Sequence, residues 1–180
     1  MRRSAIVLLA STALLFANQA AHAQQQDTAI SSPWCPSVTP TISTSAYTTG
    51  YVLAPPMAFT YMPPGGIIGN ADETSNTGSF STGSFDLYLF TQNPSNGTYT
   101  ANISFSLNAT DAGFLIGVLH LSDCTVTTTG GATANCQALY QTQIYKLASA
   151  ATTLYALAVV RGTPTFTSAT DVKFTLCAIK

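Results

Sequence analysis

The sequence predicts an all-β fold, a single antiparallel β-sandwich or jelly-roll tied by disulfides. Three observations carry this. Charged residues make up only 7% of the chain and apolar ones 46%. Serine and threonine take the polar positions, and threonine suits a pleated, half-buried surface. Short apolar stretches are separated by Gly, Pro and Asn turns, without a helical period after the opening residues. Four cysteines occur in a chain whose start directs it out of the cytoplasm, where an even count reads as a disulfide framework.

That start is a short positive region, Arg2-Arg3, then an apolar run from Ala5 to Phe16, then Ala21-His22-Ala23. This order is that of a secretory signal peptide, with cleavage expected between Ala23 and Gln24. The run is too short to span a bilayer, and no later stretch is long enough for a transmembrane segment. The expected organisation is a signal peptide over 1–23, an N-terminal arm over 24–40 and a β-sandwich domain over 41–180. The expected location is exported: periplasm, cell surface or extracellular. After cleavage, Lys146, Arg161, Lys173 and Lys180 face seven carboxylates, a net charge of −3. Nucleic acid and anionic membrane surfaces call for clustered Lys and Arg, so neither is an expected partner.

Taken in order, the region from Ser31 to Phe85 is the least regular. Thr41 to Tyr51 and Met57 to Tyr61 are weak strand candidates. Ala54 to Gly66 holds four prolines, which confines any strand there to an edge. Thr77-Gly-Ser-Phe80 is echoed by Thr82-Gly-Ser-Phe85, and this short repeat reads as a surface loop. Phe85 to Phe90 is a strand with Phe85, Leu87 and Leu89 on one side. Thr98 to Leu107 alternates most strictly, with Tyr99, Ala101, Ile103, Phe105 and Leu107 on one face. The Asn-Pro and Asn-Gly turn chemistry between these two segments predicts that they form a hairpin.

Phe114 to Leu121 is apolar on both faces and reads as a central strand. Ala138 to Leu147 is a more polar strand. Thr153 to Arg161 is again apolar on both faces. In the last strand, Asp171 to Ile179, residues Val172, Phe174, Leu176 and Ala178 are expected in the core. Lys173, Thr175 and Cys177 face away, so that a bond from Cys177 to Cys35 would draw the N-terminal segment across the outer face.

These segments ("FDLYLF", "YTANISFSL", "FLIGVLHLSDC", "IYKLASAATTLYALAVVRGTPT", "FTLCAI") together resemble the strand order of bacterial pre-peptidase C-terminal domains. The resemblance covers roughly Ser84 to Lys180 and rests on pattern, without a diagnostic motif. It implies a small exported β-sandwich of the kind that accompanies a catalytic domain, and no catalytic domain is expected in this sequence. Some such domains use acidic residues for calcium. Asp72-Glu73 and Asp111 do not match a calcium motif.

Four cysteines allow three pairings. The composition favours Cys124–Cys136 and Cys35–Cys177. The first closes the Thr/Gly/Ala stretch from Thr125 to Asn135. The second joins the start of the domain to its last strand. The stretch from His120 to Gln137 also gathers His120, Asp123, Cys124 and Cys136, a conceivable zinc set. Eleven residues separate the two thiols, and structural zinc prefers closely paired cysteines. The disulfide reading is therefore preferred, with no metal and no cofactor expected.

No catalytic residue is expected either. His120 is the sole imidazole after cleavage. Ser122 shares its strand face but lies about 7 Å along a strand, too far for direct proton transfer. Asp123 points the other way, and no Gly-x-Ser-x-Gly elbow occurs. His120 is expected to end a strand and bond to the clamped loop. Asp72-Glu73 reads as a solvated turn. Asn96, Asn102 and Asn108 open glycosylation sequons that reflect Ser/Thr richness. Trp34, Tyr47, Tyr51, Phe59, Tyr61 and Met62 concentrate in the N-terminal third. They either form a surface that stacks on sugars or cap an open end of the core; the alternating prolines favour the cap.

The expected function is an exported, non-enzymatic β-sandwich with a structural, adhesive or interaction role at the bacterial cell envelope. Its partner would be an envelope protein, a polysaccharide or a second copy of itself. The polar stretch from Gln24 to Ser32 could add a strand to a neighbour's open edge. The alternatives are a carbohydrate-binding module and, behind it, an exported hydrolase.

Overall fold

The computed structural model describes residues 34–75, 84–127, 133–138 and 141–180. Its strands are β1 (Ser37–Val38), β2 (Met57–Phe59), β3 (Gly65–Ser75), β4 (Phe85–Phe90), β5 (Leu115–Leu121), β6 (Asp123–Thr127), β7 (Thr133–Gln137), β8 (Gln143–Lys146), β9 (Leu154–Val160) and β10 (Val172–Ile179). One short helix, α1 (Ala109–Ala112), lies between β4 and β5. The strands form two antiparallel sheets. One has the order β1-β10-β3-β7-β6, with β8 pairing Gly65 to Ile68 of β3, and the other the order β2-β9-β4-β5. No helix among the described residues is long and apolar enough to cross a membrane. The expected signal peptide and the arm up to Ser32 lie outside the described residues, as does most of the Thr77–Phe85 repeat.

The main core lies between the sheets. Ala71, Phe174, Leu176 and Ala178 from the larger sheet meet Phe85, Leu87, Leu89, Ala156 and Ala158 from the smaller. Phe85 and Phe174 touch edge to face across the gap, their ring centres 5.8 Å apart. Each such side chain, fully buried, contributes about 1.5–3 kcal/mol. β10 alternates as expected: Val172, Phe174, Leu176 and Ala178 are buried. The Cys35–Cys177 bond therefore sits on the outer side of that strand. The N-terminal segment does not cross the face. It runs alongside β10 as an edge, with Ser37 opposite Thr175 and Trp34 bridged to Ala178. Trp34, Ser37 and Val38, in the expected N-terminal arm, pair with the sheet.

A second apolar cluster explains why β9 is apolar on both faces. Val52, Phe90, Tyr99 and Leu157 are buried there, with Tyr88, Phe105, Leu107 and Tyr155 packed around them. The covering layer is the irregular chain from Thr91 to Phe114. The expected strand from Thr98 to Leu107 therefore does not form. Within it only Ser104 makes a bridge, to Tyr51, and Asn102 has φ 64, a left-handed backbone that breaks a strand. Its alternation is real but serves a lid on the sheet. Tyr99 is buried and Ile103 is 43% exposed. The β4 partners are β5 and β9 instead. β5 is the edge of that sheet, not its centre, and the Gln141 side chain covers part of that edge.

The longest strand, β3, lies where the sequence predicts none. A bulge sets Cys177 opposite Asn70 but Ala178 opposite Ile68, so Gly69 is an extra residue. The bulge lets Ile68 and Ala71 both reach the core and breaks the period-2 pattern. At Gly66 a Cβ would collide with the Ile179 carbonyl, so glycine permits the close strand approach. The Thr41–Tyr51 candidate forms no regular strand. β2 is an edge strand, as the flanking prolines require.

Candidate functional site

All four cysteines are oxidised, Cys35 to Cys177 and Cys124 to Cys136. Cys124 and Cys136 face each other directly across β6 and β7. The bond is thus a rung across a hairpin, and residues 128–132 of the loop it closes lie outside the described residues. A disulfide sulfur is neither a thiolate ligand nor a nucleophile, which removes both thiols from any zinc site.

Among the described residues, His120 bonds to Asp86 and Gln141 and not to the clamped loop. Its Nδ1 is 2.5 Å from Asp86 Oδ1, and Arg161 pairs with the other carboxylate oxygen. The register causes this. Asp86 lies directly opposite His120 on β5 and Val159 on β9, and Arg161 follows the end of β9. Asp86 is 3% exposed, whereas the His120 and Arg161 side chains are 56% and 51% exposed. Asp86 holds the Arg161 guanidinium proton more tightly, by hydrogen bond and by charge. The cluster fastens three strands together.

The His120 backbone is clasped by the Gln141 side chain, which accepts from its N–H at 2.7 Å and donates to its carbonyl at 2.8 Å. Ser122 is not on the same strand face. The chain passes from the smaller sheet to the larger at that residue. Among the described residues, no hydroxyl or thiol bonds to the His120 ring. The arrangement is a carboxylate-oriented imidazole without a nucleophile.

Glu73 corrects the expectation of a solvated turn. It lies in β3, faces Phe174 on one side and Cys136 on the other, and is fully buried. Neither carboxylate oxygen has a hydrogen-bond partner among the described residues. Burial, and then the charge of Asp72, push its pKa up to about 8. At neutral pH the folded protein therefore holds this carboxyl protonated.

Of the two readings of the N-terminal aromatics, the structure matches the cap that the prolines favour. Tyr47, Phe59 and Met62 are buried in the core, where Tyr47 packs edge to face on Phe166 and donates to the Leu53 carbonyl at 2.7 Å. Tyr51 packs partly buried against the same core. Trp34 sits half-buried beside β10. These residues cap the core, and only Tyr61 stands out, 83% exposed.

A constellation absent from the sequence reading organises the covering layer. Asp111 is fully buried. Its Oδ1 accepts from the Ser95 N–H at 3.2 Å and the Asn96 side-chain amide at 2.7 Å. Its Oδ2 accepts from the Asn96 and Gly97 N–H groups, each at 3.0 Å, and from the Tyr99 hydroxyl at 2.8 Å. Burial raises the Asp111 pKa, but these hydrogen bonds outweigh it and hold the carboxyl below its ordinary value. Two sequon asparagines are spent here. Asn108 caps α1 by accepting from the Thr110 N–H at 2.8 Å and donates to the Asn96 carbonyl at 3.1 Å. At Gly97 a Cβ would strike the Tyr99 ring.

Two shallow depressions share Asn93, and the loop that Asp111 holds forms a wall of the first. The first, of about 430 Å³, runs between Pro56 and the segment from Asn93 to Thr100. The other, also about 430 Å³, is lined by Thr91, Gln92 and Asn93 on one side and Thr152, Thr153 and Tyr155 on the other. No lining residue of either carries a charge.

No family model matches the chain, and neither a curated protein nor a solved structure does.

Proposed function

We propose that this chain is an exported, non-enzymatic β-sandwich with a structural, adhesive or interaction role at the bacterial cell envelope. One observation carries the reading: the chemically reactive side chains serve as fastenings. All four cysteines are cross-linked. Asp86 ties His120 and Arg161 across three strands, and Asp111 is saturated by a loop. The accessible depressions offer hydroxyls and amides, groups that bind rather than react. The test is cosedimentation of the purified exported chain with fractionated bacterial envelopes, in parallel with a broad hydrolase screen. Retention on an envelope fraction without turnover is the expected result. A protein that stays in the supernatant with every fraction counts against the proposal.

A second reading, an exported hydrolase, is favoured by one feature, the half-exposed imidazole oriented by a buried carboxylate. It requires that the wild type turn over some substrate and that His120→Ala abolish this turnover while the fold persists.

A further inference from the structure

We propose that the two depressions meeting at Asn93 form one binding site for an uncharged glycan, with Tyr61 as an aromatic platform at its border. This inference rests on the envelope-binding reading and names the chemistry of the partner.

The first support is the composition of the walls. Thr91, Gln92, Asn93, Thr152 and Thr153 present hydroxyl and amide groups, and the half-buried Tyr155 supplies an aromatic surface. Anionic ligands need a cation, and amines need a carboxylate; the lining holds neither. A purely apolar ligand would strip water from these polar groups without replacing the lost hydrogen bonds. A peptide strand would need an open ladder of backbone groups, but the one strand in these walls, β9, is already paired on both edges. A neutral sugar ring offers apolar faces for aromatic contact and hydroxyls around its edge for amides. The two depressions each lie within the usual size of ligand sites, and together they suit an extended chain of sugar units.

The second support is backbone strain concentrated at the border. Tyr61 has φ 62 and Ala150 has φ 66, a conformation that costs a non-glycine residue about 1–2 kcal/mol. Both sit next to the depression that contains Thr152. The Met62 amide donates to the Thr152 carbonyl at 2.8 Å, which fixes Tyr61 one residue away. Ala150 itself lines the depression. Buried Phe59 and Met62 flank Tyr61, so the backbone carrying its ring is held from both sides. Tyr61 is 83% exposed and so gains little packing within this chain to offset the strain. Strain that persists around an exposed aromatic group points to use rather than to stability.

The third support is preorganisation. The wall of the depression beside Pro56 is held by Asp111 through five donors: the N–H groups of Ser95, Asn96 and Gly97, the Asn96 side-chain amide and the Tyr99 hydroxyl. A wall ordered before binding has less freedom left to lose.

The test is a titration followed by amide NMR on the full exported chain with native disulfides. The probes are neutral hexasaccharides of glucose, galactose, mannose and N-acetylglucosamine, with polygalacturonate as the charged control. The expected result is that a neutral hexasaccharide shifts the amides of Gln92, Asn93 and Thr152 while polygalacturonate does not. Asn93→Ala and Tyr61→Gly should each weaken binding by about tenfold. Tyr61→Gly should also raise the melting temperature, since glycine relieves the strained backbone; a residue with a purely structural role would give no loss of binding alongside that gain. The proposal is overturned if no neutral hexasaccharide shifts these amides, if the shifts map elsewhere, if both variants bind as the wild type does, or if polygalacturonate binds equally well. If the sugars are silent but the chain still cosediments with an envelope fraction, the envelope reading stands and this inference alone falls.

Discussion

Replacing Glu73 by glutamine should change how stability depends on pH. Glu73 is fully buried, has no hydrogen-bond partner for either oxygen among the described residues, and has its pKa raised from 4.5 to about 8. The unfolded chain loses this proton near the ordinary value, while the folded chain keeps it. Between the two values the unfolded state therefore binds fewer protons, and stability falls as pH rises. The stability tied to this carboxyl is fully present below pH 4.5 and lost as pH climbs through about 8. Each pH unit in that window costs about 1.4 kcal/mol, so the whole window spans about 5 kcal/mol.

Glutamine cannot ionise, so Glu73→Gln should lack this slope. Its amide is buried without partners among the described residues, as the protonated carboxyl is, so the two proteins should be of similar stability below pH 4.5 and the variant should gain on the wild type above it. Urea unfolding with disulfides intact, at several pH values from about 5 to about 8, measures this directly. Parallel curves for the two proteins would refute the reasoning, because they would show Glu73 ionised in the folded state.

Asp111→Ala should destabilise the protein by about 3 kcal/mol or more, since it orphans several buried donors at once. The wild-type contribution of Asp111, whose folded pKa is lowered, is present above the ordinary value of 3.8 and disappears as pH falls below it, which acid titration of the melting temperature checks. Asp86→Asn should cost on the order of 1–3 kcal/mol, and His120→Ala under about 1 kcal/mol, because Asp86 is buried and the imidazole is half-exposed; denaturant midpoints of the two variants compare them. Opening the bond that spans 142 positions should cost about 5 kcal/mol on the chain-entropy model, against about 3 kcal/mol for the one that spans 12. Paired Cys→Ser variants, melted side by side, test that order.

The elements legible in the sequence are those whose pattern depends on one sheet. β10 alternates because one face meets the core, and β9 is apolar throughout because both its faces are covered. Thr98 to Leu107 misleads for a related reason. Its alternation satisfies a covering layer as well as it would a strand, and only the backbone at Asn102 tells the two apart. β3 escapes notice because its bulge shifts the period and because Gly, Asn, Asp and Glu are rare in strands. The aromatic candidates were placed in the right third of the chain, but whether a tyrosine faces solvent or the core depends on chain segments far away. Asp111 carried no signal, since its partners lie 12 to 16 positions before it in a loop whose Asn-Pro and Asn-Gly read only as a turn.

Composition, periodicity and the even cysteine count determined an all-β chain of stacked sheets with two cross-links, because these follow from local geometry and from which faces meet water. Tertiary structure alone decided that Glu73 is buried, that Asp86 joins His120 to Arg161, and that an uncharged groove opens at Asn93. The first two depend on register between strands distant in sequence, where a one-residue slip would turn Glu73, Asp86 and His120 to the other face, and the third on how irregular segments pack over the sheet.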